Sequence, residues 1–155
     1  MNTPIFSSEN DIKLHLCALI RIANADGNFC DREKALVNST IGAYCTIFPS
    51  LSAEELLAVE FSDNDFDAAL ERLKAAPLQA RLLIKDLVTL GYIDDDYCDA
   101  ERKMVAEFGT KLGIPMAIIH ELEELTMDYL HTMKKLNNMI WGTSKEGSFS
   151  CVNDE

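Results

Sequence analysis

Two short runs of this sequence carry acids at a spacing that suggests chemistry. The first is ADGNFCDREKALV, beginning at Ala25, and the second is IDDDYCDAERKMV, beginning at Ile93. Laid over one another, Asp26 falls on Asp94, Asn28 on Asp96 and Cys30 on Cys98. Asp31 falls on Asp99, and Glu33 falls on Glu101, 68 positions later. Oxygen donors in such sets suit a hard divalent cation, Ca²⁺ or Mg²⁺, which takes several carboxylate and carbonyl ligands. The candidate ligands are Asp26, Asn28 and Glu33 from one run and Asp94, Asp96 and Glu101 from the other. The runs are not EF-hands, because the twelve-residue loop with glycine at its sixth position is absent.

Each acid also has an ordinary structural reading. Asp31 and Asp99 fit as helix N-caps or first-turn acids. Glu33 and Glu101 each follow a cysteine by three positions, which is capping-box spacing with cysteine in place of serine or threonine. Asp26 can close an Asx-turn over Gly27. Asp26 and Asp94 follow helix C-termini, where the dipole disfavours negative charge, so these two carry most of the functional expectation. Cys30 and Cys98, at helix starts, could form a soft-metal or redox pair, and are read instead as small half-buried residues.

The elements that position these runs are helices. From Ser8, an apolar helix of about residues 9–25 presents Ile12, Leu14, Leu16, Leu19 and Ile22 on most of its circumference, the mark of a central helix. A second helix is expected from Asp31 to Phe48, stopping at Pro49. Ser52 with Glu55 opens a third through about Phe61, and Ser62 or Asp63 caps a fourth through Lys74. Pro77 starts a fifth, apolar on most sides, through Tyr92. A sixth covers about 99–112, and Pro115 opens a long seventh to roughly Met139. The expected fold is all-α: one compact bundle of about seven helices with an internal pseudo-two-fold helix–loop–helix duplication, over residues 1–141. The small, polar residues 142–155 are expected to be a disordered tail.

An apolar helix, then Ala25-Asp26-Gly27 through Glu33, then a second copy in which Ile93-Asp94-Asp95 stands for Ala-Asp-Gly, resembles the TerB-like tellurite-resistance family over about residues 10–138. The resemblance implies a compact helical domain with an acidic surface, a role in bacterial stress or tellurite resistance, and divalent-metal binding.

Composition narrows the partners. The chain holds 14 Lys and Arg against 26 Asp and Glu, a net charge of −12. Such a surface repels phosphate backbones, so nucleic acid is not expected, whereas cations and basic protein surfaces are attracted. No apolar run is long enough for direct membrane insertion. The start MNTPIFSSENDIK does not read as a signal peptide, and five cysteines without a CxxC read as reduced thiols of a cytoplasmic protein. The functional expectation is a binding module, not an enzyme, that takes a divalent cation and a protein partner. A membrane-associated complex and a homodimer stay open as partner readings. The alternatives are a metal-free scaffold or a carboxylate–metal hydrolase with Glu33 or Glu101 as base. His15 is read as filling a gap on a buried helix, and His120 and His131 as surface residues. Met116, Met127, Met133 and Met139 are read as core, an exposed stripe being the alternative.

Overall fold

Side chains that reach back to the first free backbone N–H groups set where the helices start. Ser8 Oγ accepts from the Asp11 N–H (3.1 Å) and opens α1, Glu9–Ala23. Cys30 precedes α2, Asp31–Ile47. Ser52 and Glu55 close a reciprocal box (3.1 and 3.2 Å) that opens the short α3, Ala53–Leu57. Ser62 Oγ accepts from the Asp65 N–H (3.1 Å) and starts α4, Asp63–Leu73. Pro77 is the first residue of α5, Pro77–Gly91. Cys98 precedes α6, Asp99–Lys111, and Pro115 precedes α7, Met116–Trp141. The computed structural model describes residue 6 and residues 8–142, and no strand occurs among them. The expected tail therefore lies outside the described residues, Gly142 excepted.

The third helix is shorter than its pattern suggests. Val59 and Phe61 leave it to pack against the core, and the Phe61 carbonyl accepts from Arg21 (3.1 Å). Tertiary burial there outweighs the helical preference of the segment.

Helices α1 and α5 form the centre. Nine residues of α1, among them Ile12, Leu16, Leu19 and Ile22, are buried. Leu83, Ile84, Leu87, Val88 and Leu90 of α5 are fully buried against them. Helix α1 packs on α2, α4, α5 and α6, and α5 on α6 and α7. Each such aliphatic side chain contributes about 1.5–3 kcal/mol by leaving water.

One polar strap crosses this apolar centre. His15 Nδ1 lies 2.6 Å from the Tyr44 hydroxyl, and His15 Nε2 lies 3.0 Å from Asp86 Oδ2. Lys85 reaches the other Asp86 oxygen at 2.7 Å, and the Phe6 ring stacks on the imidazole at 4.8 Å. Burial works against the Asp86 charge, but His15 and Lys85 outweigh it and hold the carboxyl below its usual range. His15 is buried as the sequence suggested, yet it links α1, α2 and α5 through polar contacts rather than filling a gap.

Helix α7 outruns its supports: it has 26 residues, against 15 in α5 and 13 in α6. Its first half packs closely, and a Cβ on Gly109 of α6 would stand 2.4 Å from Ile119 Cδ1. Only Ile119, Glu123 and Thr126 of α7 are buried. Met127 and Met133 are half-buried, while Met116 and Met139 are exposed, so the core reading fails for those two. Met139, at 84% exposure, packs on none of the described helices.

Candidate functional site

The two acidic runs fold alike in detail. In the first, the chain leaves α1 through Asn24, whose N–H bonds the Ile20 carbonyl. Asp26 Oδ1 then accepts from the Asn28 N–H (2.8 Å), and Gly27 sits in the left-handed region at φ +80°. In the second, Asp94 Oδ1 accepts from the Asp96 N–H (3.0 Å), and Asp95 takes the left-handed position at φ +71°. Each run then enters a helix through a cysteine cap. Glu33 Oε2 accepts from the Cys30 N–H (2.7 Å), and Glu101 Oε2 from the Cys98 N–H (2.8 Å). The cysteine sulfurs face the Glu33 and Glu101 N–H groups as the other half of each box, a weak acceptor in a position serine usually holds.

The six candidate ligands thus divide into two kinds. Asp26, Asn28, Asp94 and Asp96 are exposed on the loops. Glu33 and Glu101 are each 4% exposed and serve the helix starts. Asp26 forms the Asx-turn that its sequence offered, and Asp94, which had no such reading, forms one too: each accepts the N–H two residues on and folds its own loop. Asp31 and Asp99 are first-turn acids and not caps, since the cysteines take the cap position.

Electrostatics connect the two runs. Burial first, and then the negative charges of Glu33 and Asp94, raise the Glu101 carboxyl above its ordinary value, although the Cys98 N–H opposes this. Glu33 therefore acts on Glu101 from the other run. The second Glu101 oxygen lies against α5, where a Cβ on Gly91 would stand 3.2 Å from it and 2.9 Å from the Tyr97 ring. A side chain at position 91 would push into both.

The donor chemistry, carboxylate and amide oxygen, suits a hard divalent cation. The geometry does not yet gather it. Among the described residues no three His, Cys, Asp or Glu side chains stand together as a ligand set. Burial pushes the Cys30 and Cys98 thiols up, away from the thiolate form.

The runs differ in what lies over them. Phe29 is half-buried with Lys34 5.8 Å above its ring. Its counterpart Tyr97 is buried, donates to Glu123 Oε1 of α7 (2.8 Å), and carries the Arg102 guanidinium 4.5 Å above its ring. Burial and Glu123 raise the Tyr97 hydroxyl, so it stays protonated as the donor. Lys134 of α7 also pairs with Asp95. Sequence reasoning missed Tyr44, Asp86 and Glu123. A hydroxyl at position 97 where position 29 has none was the available signal for Glu123. Polar residues set among the apolar ones of α1 and α5 were the signal for His15 and Asp86. His120 and His131 are exposed, as expected.

Among the described residues no helix is long and apolar enough to cross a membrane. Comparison with known proteins finds no family model, no curated protein and no solved structure that matches the chain.

Proposed function

We propose that the chain is a TerB-like binding module and not an enzyme, made of two related halves whose acidic runs together attract a divalent cation and a basic protein surface. The reading carries with it the stress or tellurite-resistance role and the cytoplasmic setting that the family resemblance implies. The observation that supports it best is the matched geometry of the two acidic runs, each folded by an aspartate turn and closed by a buried glutamate at the next helix start. A cation is drawn to such acids, and Asp26 and Asp94 are both exposed to it. Because no ligand set is gathered beforehand, binding requires these side chains to turn inward, and the affinity belongs to the weak end of oxygen-ligand sites.

Calorimetric titration with Ca²⁺, Mg²⁺, Mn²⁺ and Zn²⁺ tests the proposal. Binding tighter than about millimolar is expected for a hard cation, and its absence defeats the cation reading. Asp26→Asn with Asp94→Asn keeps an acceptor for each loop turn while removing both charges. That double variant should lose binding with its helical spectrum unchanged; retained binding places the site elsewhere.

A second reading draws on the same residue. A raised carboxyl is what a general base near neutrality needs, which favours Glu101 in a carboxylate–metal hydrolase. Against it, Glu101 Oε2 is engaged by the Cys98 N–H, neither run contains a histidine, serine or threonine, and the Tyr97 hydroxyl is taken up by Glu123. Metal-dependent hydrolysis of a generic phosphoester or ester, lost in Glu101→Gln, would move the assignment to this reading.

A further inference from the structure

The second half of α7 carries an apolar seam that none of the described residues covers. Leu125 is 59% exposed, Tyr129 62%, Leu136 47% and Met139 84%. With Thr132 they are spaced 4, 3, 4 and 3 residues apart, and Ile118 and Leu122 extend the same alternation into the half-buried start of the helix. This is the a/d repeat of a coiled coil. On a helix of 3.6 residues per turn the five positions fall within roughly an 80° sector and run for about 21 Å. The seam is separate from the face that α7 buries, where Ile119, Glu123 and Thr126 meet the domain.

Charge along the helix says what fits there. Residues 121–128 hold Glu121, Glu123, Glu124 and Asp128, while residues 131–141 hold His131, Lys134 and Lys135 and no acid. Two copies laid antiparallel set the acidic half of each against the basic half of the other, whereas parallel copies oppose like charges. The antiparallel register that matches a to d positions sets Leu122 against Met139, Leu125 against Leu136, and Tyr129 against Thr132, each pair occurring twice. The exposed Asp128 and Lys135 flank the seam at g positions, which meet across an antiparallel pair.

We infer that α7 is a homodimerisation surface, and that its occupant is the α7 of a second copy in antiparallel register. The inference is independent of the cation reading. The seam spans only about two heptads outside the domain, so the dimer is weak, with a dissociation constant on the order of 10 μM.

Sedimentation equilibrium of the full chain over a concentration series tests this. A reversible monomer–dimer equilibrium is expected for the wild type. Leu125→Glu with Leu136→Glu should abolish it, and because both residues are exposed the helical spectrum should stay unchanged. Asp128→Lys should weaken the dimer, and adding Lys135→Asp should restore it, since the swapped charges again meet opposite partners. A wild type that stays monomeric throughout overturns the proposal, as does a dimer that survives the Leu125/Leu136 double variant. A dimer indifferent to the charge exchange overturns the antiparallel arrangement. A chain that dimerises only after removal of residues 143–155 assigns the seam to that segment instead.

Discussion

Runs 26–33 and 94–101 share their turns, their cysteine caps and their buried glutamates, and α7 bonds the second through its aromatic and its loop. Glu123 and Lys134 of α7 bond Tyr97 and Asp95. The first run has neither contact, and its aromatic Phe29 lies half-exposed. The difference extends to the backbone. Gly27 adopts a left-handed conformation that costs glycine nothing, while Asp95 adopts the same one with a side chain attached. One local design thus appears once as an open loop and once as a loop built into the domain. The two runs share the local turns and caps that their similar residues dictate, and they differ in the bonds that α7 makes to the second.

The comparison breaks most sharply at the aromatic position. Tyr97→Ala removes a buried ring and leaves the buried Glu123 without its donor, at a cost of about 3–5 kcal/mol. Phe29→Ala should cost on the order of 1–2 kcal/mol, because part of its ring is already in water. Urea denaturation of the two variants measures both, and equal losses would show that α7 does not stabilise the second run.

The next effect lies in pH dependence. The Glu101 carboxyl sits above its ordinary 4.5 in the folded state. Its protonated form is therefore favoured by folding, and the stability it contributes is complete below the unfolded carboxylate range and lost as pH rises through the folded value. Subtracting the stability of Glu101→Gln from that of the wild type at each pH isolates this contribution, which should fall with rising pH just above 4.5. Glu33→Gln should shrink the fall, since it removes one of the two like charges, and no change on that substitution would separate the two runs electrically.

The smallest effects sharpen the backbone contrast. Gly27→Ala forces a Cβ into the left-handed region and should cost about 1 kcal/mol, even though no atom stands in its way. Asp95→Gly relieves the same strain but forfeits the exposed Lys134 pair, so the net change should stay within about 0.5 kcal/mol. Thermal unfolding of the two variants checks the asymmetry.

Much of this was legible in the chain. Ser8, Ser52, Ser62, Pro77 and Pro115 mark helix starts because capping is a local interaction, fixed within three or four residues. The spacing of Glu33 and Glu101 offered capping beside metal ligation, and the structure shows the capping bonds. What was not legible depended on distance in sequence. The Asx-turn at Asp94 hides in a run of three aspartates, any of which could have turned the chain. The pairing of Tyr97 with Glu123 joins residues 26 positions apart, and His15 with Asp86 joins two helices far apart in the chain. The exposure of Met139 was equally out of reach, since an apolar residue at helical spacing reads the same whether or not another helix lies opposite.

The sequence by itself determined an all-helical chain with two buried central helices and two acidic runs that fold by the same local rules. Period, caps and turn residues act between near neighbours and need no partner from elsewhere. Only the tertiary structure decided which run is covered, which acids share a field and which face of the last helix stays bare. Those outcomes depend on where α7 lies and how far it outruns the body, and packing sets both.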